Sequence, residues 1–155
     1  MAMKQSAGLL LYRINNAKAE LLLVHPGGPF WKNKDEGAWS IPKGEFTEEE
    51  DALVAARREF EEETGIACSK DALPLTAVKL SSGKKIYAWA VEQDIDTAAV
   101  KSNLFEMEWP PKSGKMQRFP EIDRAAWFSP AIAKKKINAG QKPLIDELLQ
   151  LLAMG

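Results

Sequence analysis

The chain holds one cysteine and one histidine in 155 residues, and its net charge at pH 7 is −1. A lone thiol, Cys68, excludes an intrachain disulfide, so a packed core must hold the fold, and a reducing cytoplasm is the expected setting. No apolar run approaches the roughly 18–20 residues that span a bilayer, and the N-terminus lacks the apolar stretch of a secretory signal. No membrane is expected as a partner. The near-balance of 21 bases against 22 acids also lacks the basic excess of a general nucleic-acid binder, so none is expected. There is no repeat, low-complexity tract or composition break. One domain over residues 1–155 is the simplest organisation, and 45% apolar residues can supply its core. Monomer and homodimer both stay open.

What the chain does have is an acidic strip. Residues 45–63 hold nine of the 22 acids and only two of the 21 bases. Within it Glu59, Glu62 and Glu63 stand at i, i+3 and i+4, so a helix projects all three from one face. Like charges that close repel unless something positive sits among them. Their oxygens are hard ligands that suit Mg²⁺, Mn²⁺ or Ca²⁺. Leu53, Ala56 and Phe60 form an apolar stripe about 100° away, which allows one face to be buried while its neighbour lines a cleft. A plain solvated acidic face is the competing reading. Thr47-Glu48-Glu49-Glu50 has the form of a capping box, and Gly65 suits the left-handed position that ends a helix. A helix over residues 48–64 is expected. Its acidic last turns oppose the helix dipole, a local cost that argues mildly for function.

Spacing decides between the two readings. Gly44, Glu50, Arg58, Glu59, Phe60, Glu62, Glu63, Gly65 and Ile66 fall on the positions of the Nudix box, and residues 44–66 resemble it throughout, with an aromatic Phe60 where an aliphatic residue is usual. The resemblance to the Nudix hydrolases implies an α+β fold, an αβα sandwich in which helices flank a mixed β-sheet. It implies hydrolysis of a P–O–P bond in a nucleoside diphosphate joined to another group. It also implies Mg²⁺ or Mn²⁺ as cofactor, more than one ion with substrate bound. Glu59, Glu62 and Glu63 take the places of the metal ligands, with the backbone carbonyl of Lys43 as a further one. Arg58 would hold box carboxylates by bidentate bonds, Glu50 is its partner and a cap, and Gly44 and Gly65 shape the turns.

The order of elements agrees with that fold. Strands are expected at residues 6–14 and 19–25, a breaker loop at 26–37, and an extended piece at 39–42. After the helix come strands at 75–81 and 85–92, a short one at 104–109, a loop over 110–120 and a strand at 125–128. Helices at 130–137 and 142–153 close the chain.

Base and substrate contacts are less sharply marked. Many members of the family place the general base outside the helix, others use a box glutamate such as Glu62. Glu121, before Ala125-Ala126-Trp127-Phe128, resembles the family's late Glu…Trp segment, and Glu106 is the second candidate. Lys43, Lys112, Lys115 and Arg118 are candidates to clamp a polyphosphate, and Trp31, Tyr87 and Trp109 to stack on a base. His25 is taken as a strand-end residue. Trp39-Ser40-Ile41-Pro42-Lys43-Gly44 resembles the entry to the box in diadenosine polyphosphate hydrolases. Residues 26–31 and 105–111 resemble small bacterial Nudix proteins predicted to be nucleoside triphosphate pyrophosphohydrolases. The leading reading is a hydrolase of nucleoside triphosphates or dinucleoside polyphosphates. Next come an ADP-ribose or nucleotide-sugar pyrophosphatase, then a Nudix-fold binding or regulatory module without turnover, then nucleic-acid 5′-end processing.

Overall fold

The computed structural model describes residues 5–154. Its centre is β1 (Gln5–Asn15), whose residues 6–12 are all buried. A strand covered on both faces must be apolar on both, and β1 is. Leu9 and Leu11 point to one side with Phe60, while Leu10 and Tyr12 point to the other. β1 turns through Asn16 and Ala17, both at positive φ, into β2 (Lys18–Pro26), which starts one residue earlier than the sequence suggested.

Around β1 a mixed sheet assembles in the order β4 (Ala72–Pro74), β6 (Lys85–Glu92), β1, β2, β9 (Ile122–Phe128). β1 is parallel to β6 and antiparallel to β2, and β3 (Lys43–Phe46) adds to its N-terminal half with Gly8 opposite Lys43. The helix α1 (Ala52–Thr64) covers one face through Ala55, Ala56 and Phe60. On the other face lie α2 (Pro130–Lys136) and α3 (Lys142–Met154), which bury Ala133, Leu144, Ile145 and Leu148. This is the α+β sandwich that the resemblance implied, with Phe60 fully buried where an aliphatic residue was the usual choice.

Three expectations are corrected. α1 begins at Ala52, not near residue 48, because Asp51 caps it by accepting from the Leu53 and Val54 amides at 3.1 Å. Thr47 instead closes a turn, its carbonyl accepting from the Glu50 amide at 3.1 Å, and the Glu50 carboxylate is drawn to Arg58 rather than back to residue 47. A short acid just before the apolar stripe outcompetes a capping box four residues upstream. Second, residues 75–81 are not one strand. Pro74 ends β4, the Thr76 amide is taken by the Glu147 carboxylate of α3 at 2.5 Å, and pairing resumes only at β5 (Val78–Lys79). Third, the stretch 110–120 is half strand: β8 (Met116–Pro120) pairs antiparallel with β7 (Leu104–Glu108), leaving a tip at 109–115.

Helix capping by Asp51 is measurable. Asp51→Ala should lower unfolding stability by about 1 kcal/mol in urea, whereas Thr47→Ala should stay within about 0.5. Equal losses for the two variants would contradict the observed start of α1.

Candidate active site

The last two turns of α1 lie against β3, and the contact is built around Gly44. A Cβ at this residue would overlap the Glu59 carboxylate, so only glycine leaves that acid its place. One residue earlier, the Lys43 amide N–H donates to Glu63 Oε2 at 2.9 Å. Gly65, at φ 75°, ends the helix with its amide on the Glu61 carbonyl at 2.7 Å, which leaves the acids in the final turns.

Arg58 is the cation among them. Its Nε and Nη2 each donate to Glu50 at 2.9 Å in a bidentate pair, and Nη1 donates to Glu59 at 2.8 Å and to both Glu62 oxygens at 3.3 Å. These bonds hold Glu50 below the usual carboxylate range and raise the guanidinium further above its own. Glu59, with 13% of its side chain exposed, is nevertheless raised, because burial outweighs Arg58. Glu63 is pushed up to about 8 by burial, with the Lys43 amide opposing and Glu59 adding repulsion. Burial likewise lowers Lys43, helped by Lys84.

Glu121 joins this group through the backbone. It stands between β8 and β9, its amide donating to the Asn103 carbonyl at 2.9 Å and its carbonyl accepting from the Gly27 amide at 2.9 Å. Asn103 in turn donates to the Glu62 carbonyl at 3.2 Å. The Glu121 carboxyl is raised by burial and then by the charge of Glu62, and it in turn raises Glu59 and Glu63. Glu106 has another role, pairing across the hairpin with Arg118 at 3.1 Å.

The candidate substrate contacts lie around this group. Gly44 and Phe46 face α1, so strand alternation sends the Lys43 side chain to the opposite face of β3. Arg118, with 70% of its side chain exposed, is engaged by Glu106. Tyr87 packs edge-on to Phe46 at 5.9 Å, and Trp31 edge-on to Phe30 at 5.1 Å, with the Lys34 ammonium 5.1 Å from the Trp31 ring. Trp109 closes the hairpin tip, its amide donating to Lys115. His25 is fully buried, not a bare strand end: Nδ1 meets Asp123 at 2.9 Å and Nε2 the Lys34 carbonyl at 2.6 Å, pinning the 27–38 loop to β9. The residues missed here were Asn103 and Asp123, which carry no motif, and Gly27, which lies in the 26–31 stretch but was given no role there.

Among the described residues no three His, Cys, Asp or Glu side chains already enclose a point where an ion could sit. The donor set still fits a hard divalent ion. It is all oxygen, and in Glu59 and Glu63 burial outweighs the neighbouring positive charge and N–H donor and raises both carboxyls, which is the deficit such an ion removes.

Comparison with known proteins agrees with this geometry. The model of the NUDIX domain matches residues 4–148, and the chain belongs to the NUDIX family. Its class is that of the Nudix pyrophosphohydrolases. In fold it is similar to the Caenorhabditis elegans Ap4A hydrolase in a binary complex, at 22% identity over 99% of this chain and 100% of that one, TM-score 0.67. A mutT/nudix protein from Listeria innocua gives 16% identity over 99% and 96%, TM-score 0.66. The NUDIX domain of Shewanella oneidensis NrtR complexed with ADP ribose gives 16% over 98% and 90%, TM-score 0.64. No curated protein matches the chain.

The raised Glu63 has a consequence for stability. In the unfolded chain a glutamate ionises near 4.5, while in the fold Glu63 keeps its proton to about 8. Its contribution is therefore complete below the lower value and lost as pH rises through the upper one. The metal-free protein in chelator should melt at falling temperature between pH 5.5 and 8.5, and Glu63→Gln should flatten that slope. A slope identical in the two proteins would contradict the assignment.

Proposed function

We propose that the chain hydrolyses the P–O–P linkage of a nucleoside triphosphate or dinucleoside polyphosphate in dependence on Mg²⁺ or Mn²⁺. The observation that carries this is the gathering of Glu59, Glu62 and Glu63 at the Gly44 turn, with Arg58 bridging Glu59 and Glu62, the Lys43 amide on Glu63, and Glu121 near enough to be raised by the charge of Glu62. Glu59, Glu62 and Glu63, with the Lys43 carbonyl, would hold the ions. Bound divalent ions supply charge neutralisation at the phosphates and a lowered pKa for water. Arg58 keeps Glu59 and Glu62 aligned and is itself fixed by Glu50. Glu121 accepts the proton of the attacking water. Its raised carboxyl brings it toward the working pH of a general base, and its backbone ties it to the carbonyl end of Glu62 through Asn103.

The substrate class rests on the Trp39–Gly44 entry and on the likeness in fold to an Ap4A hydrolase. The likeness to a NUDIX domain that binds ADP ribose supports a second reading, ADP-ribose or nucleotide-sugar hydrolysis. We place the protein in the cytoplasm as a single domain over residues 1–155. It acts there as monomer or homodimer on small nucleotides rather than nucleic acid. Among the described residues no helix is long and apolar enough to cross a membrane.

A panel of nucleoside triphosphates, diadenosine polyphosphates, ADP-ribose and nucleotide sugars with Mg²⁺ or Mn²⁺ separates the readings. Nucleoside monophosphate should be released, Glu62→Gln and Glu63→Gln should abolish the release, and Glu121→Gln should lower kcat roughly 10²–10⁴-fold. Turnover of Glu121→Gln within a few-fold of wild type removes Glu121 as base. No turnover of any panel member, with metal still bound, makes the protein a binding module.

A further inference from the structure

We infer that the β7–β8 hairpin is the nucleobase platform of this site, with Phe105 and Phe119 as its stacking rings. The inference rests on the nucleotide reading above. Both feet of the hairpin stand at the carboxylates. Asn103, just before β7, donates to the Glu62 carbonyl at 3.2 Å, and Glu121, just after β8, donates to the Asn103 carbonyl at 2.9 Å. The ribbon therefore rises from the rim of the candidate active site.

Its two faces differ in chemistry. The register sets Phe105 opposite Phe119 and Glu106 opposite Arg118, so alternation places Phe105, Met107 and Phe119 on one face and the ion pair on the other. The aromatic face is turned toward the 27–31 loop. The tip of the Phe105 ring comes within 2.9 Å of where a Cβ would stand at Gly28, so it is glycine that lets the ring lie this close to the loop. That loop is tied to the same foot, the Gly27 amide donating to the Glu121 carbonyl at 2.9 Å. It also carries Phe30, 60% exposed, edge-on to Trp31. Phe105 and Phe119 lie 6.0 Å apart, tilted at 42°, and both are only partly buried.

An isolated two-stranded ribbon with a half-covered aromatic face needs something to pack on it. A nucleotide with its phosphates at Glu59, Glu62 and Glu63 has its base one sugar away, beside a surface anchored to Glu62 and Glu121. Phenyl rings offer a π face and no hydrogen-bond donor or acceptor. They retain any base and reject phosphates that carry none. The platform thus selects nucleosides without selecting among bases.

Calorimetric titration of the full chain with AMP and with ribose 5-phosphate, in Mg²⁺, tests this apart from turnover. AMP should bind about tenfold more tightly. Phe105→Leu, which keeps apolar bulk, should erase that preference without changing ribose 5-phosphate binding, and Phe105→Trp should restore it. Equal affinities in wild type overturn the platform, as does a Phe105→Leu loss shared by both ligands. A dimer that Phe105→Leu dissolves while AMP binding persists also overturns it, by showing that a second copy covers this face. AMP preference in a protein that hydrolyses no nucleotide upholds the platform and sinks the hydrolytic reading. Hydrolysis without AMP preference does the reverse.

Discussion

Acidic side chains withdrawn from water beside one another are the constraint around which this molecule is arranged. Glu59 and Glu63 are placed between α1 and β3, where burial favours their protonated forms more than Arg58 or the Lys43 amide favours their charge. Leaving a carboxylate partly desolvated with incomplete pairing costs stability, and a fold keeps such a group where a ligand completes it. Glycine at position 44 admits the Glu59 carboxylate, and Phe60 and Ala56 bury the next face of the same helix, so the acids cannot rotate away into solvent.

The rest of the architecture follows from holding that cluster in place. Arg58 reaches four residues along the helix to Glu62 and eight back to Glu50, which makes the turn ahead of α1 part of the site. From the end of α1 a run of backbone bonds continues outward: Glu62 to Asn103, Asn103 to Glu121, Glu121 to Gly27. Each is ordinary in strength. Together they bring three loops distant in sequence to one rim, where a general base and a substrate surface are both needed. His25 fixes the 27–38 loop at a second point, through Asp123 and the Lys34 carbonyl.

How much of this was legible depended on how local the causes are. The acidic face, its apolar neighbour and the glycine stop are set by spacing within one helix, and these were readable, although Ala55 is fully buried where Leu53 was expected and Leu53 is only partly so. The strands near β1 were readable because alternation and apolar runs have simple periods. The start of α1 was not, since Thr47 and Asp51 both offer a cap and only the pull of Arg58 on Glu50 separates them. The strand Met116–Pro120 was hidden by a proline- and glycine-rich tip that resembles a loop throughout. His25 could not be read because its partner lies 98 residues away. The face on which the Lys43 side chain leaves β3 also depended on register, which no local motif encodes.

Proton release on metal binding tests the central claim most directly. If burial keeps Glu63 protonated near neutral pH, a divalent ion that takes its place must expel that proton. Calorimetric titration of metal-free protein with Mn²⁺ at pH 7, in buffers of different ionisation enthalpy, measures the number released. The account predicts close to one proton per protein in wild type and almost none in Glu63→Gln. Binding of Mn²⁺ with no proton released by wild type would contradict it.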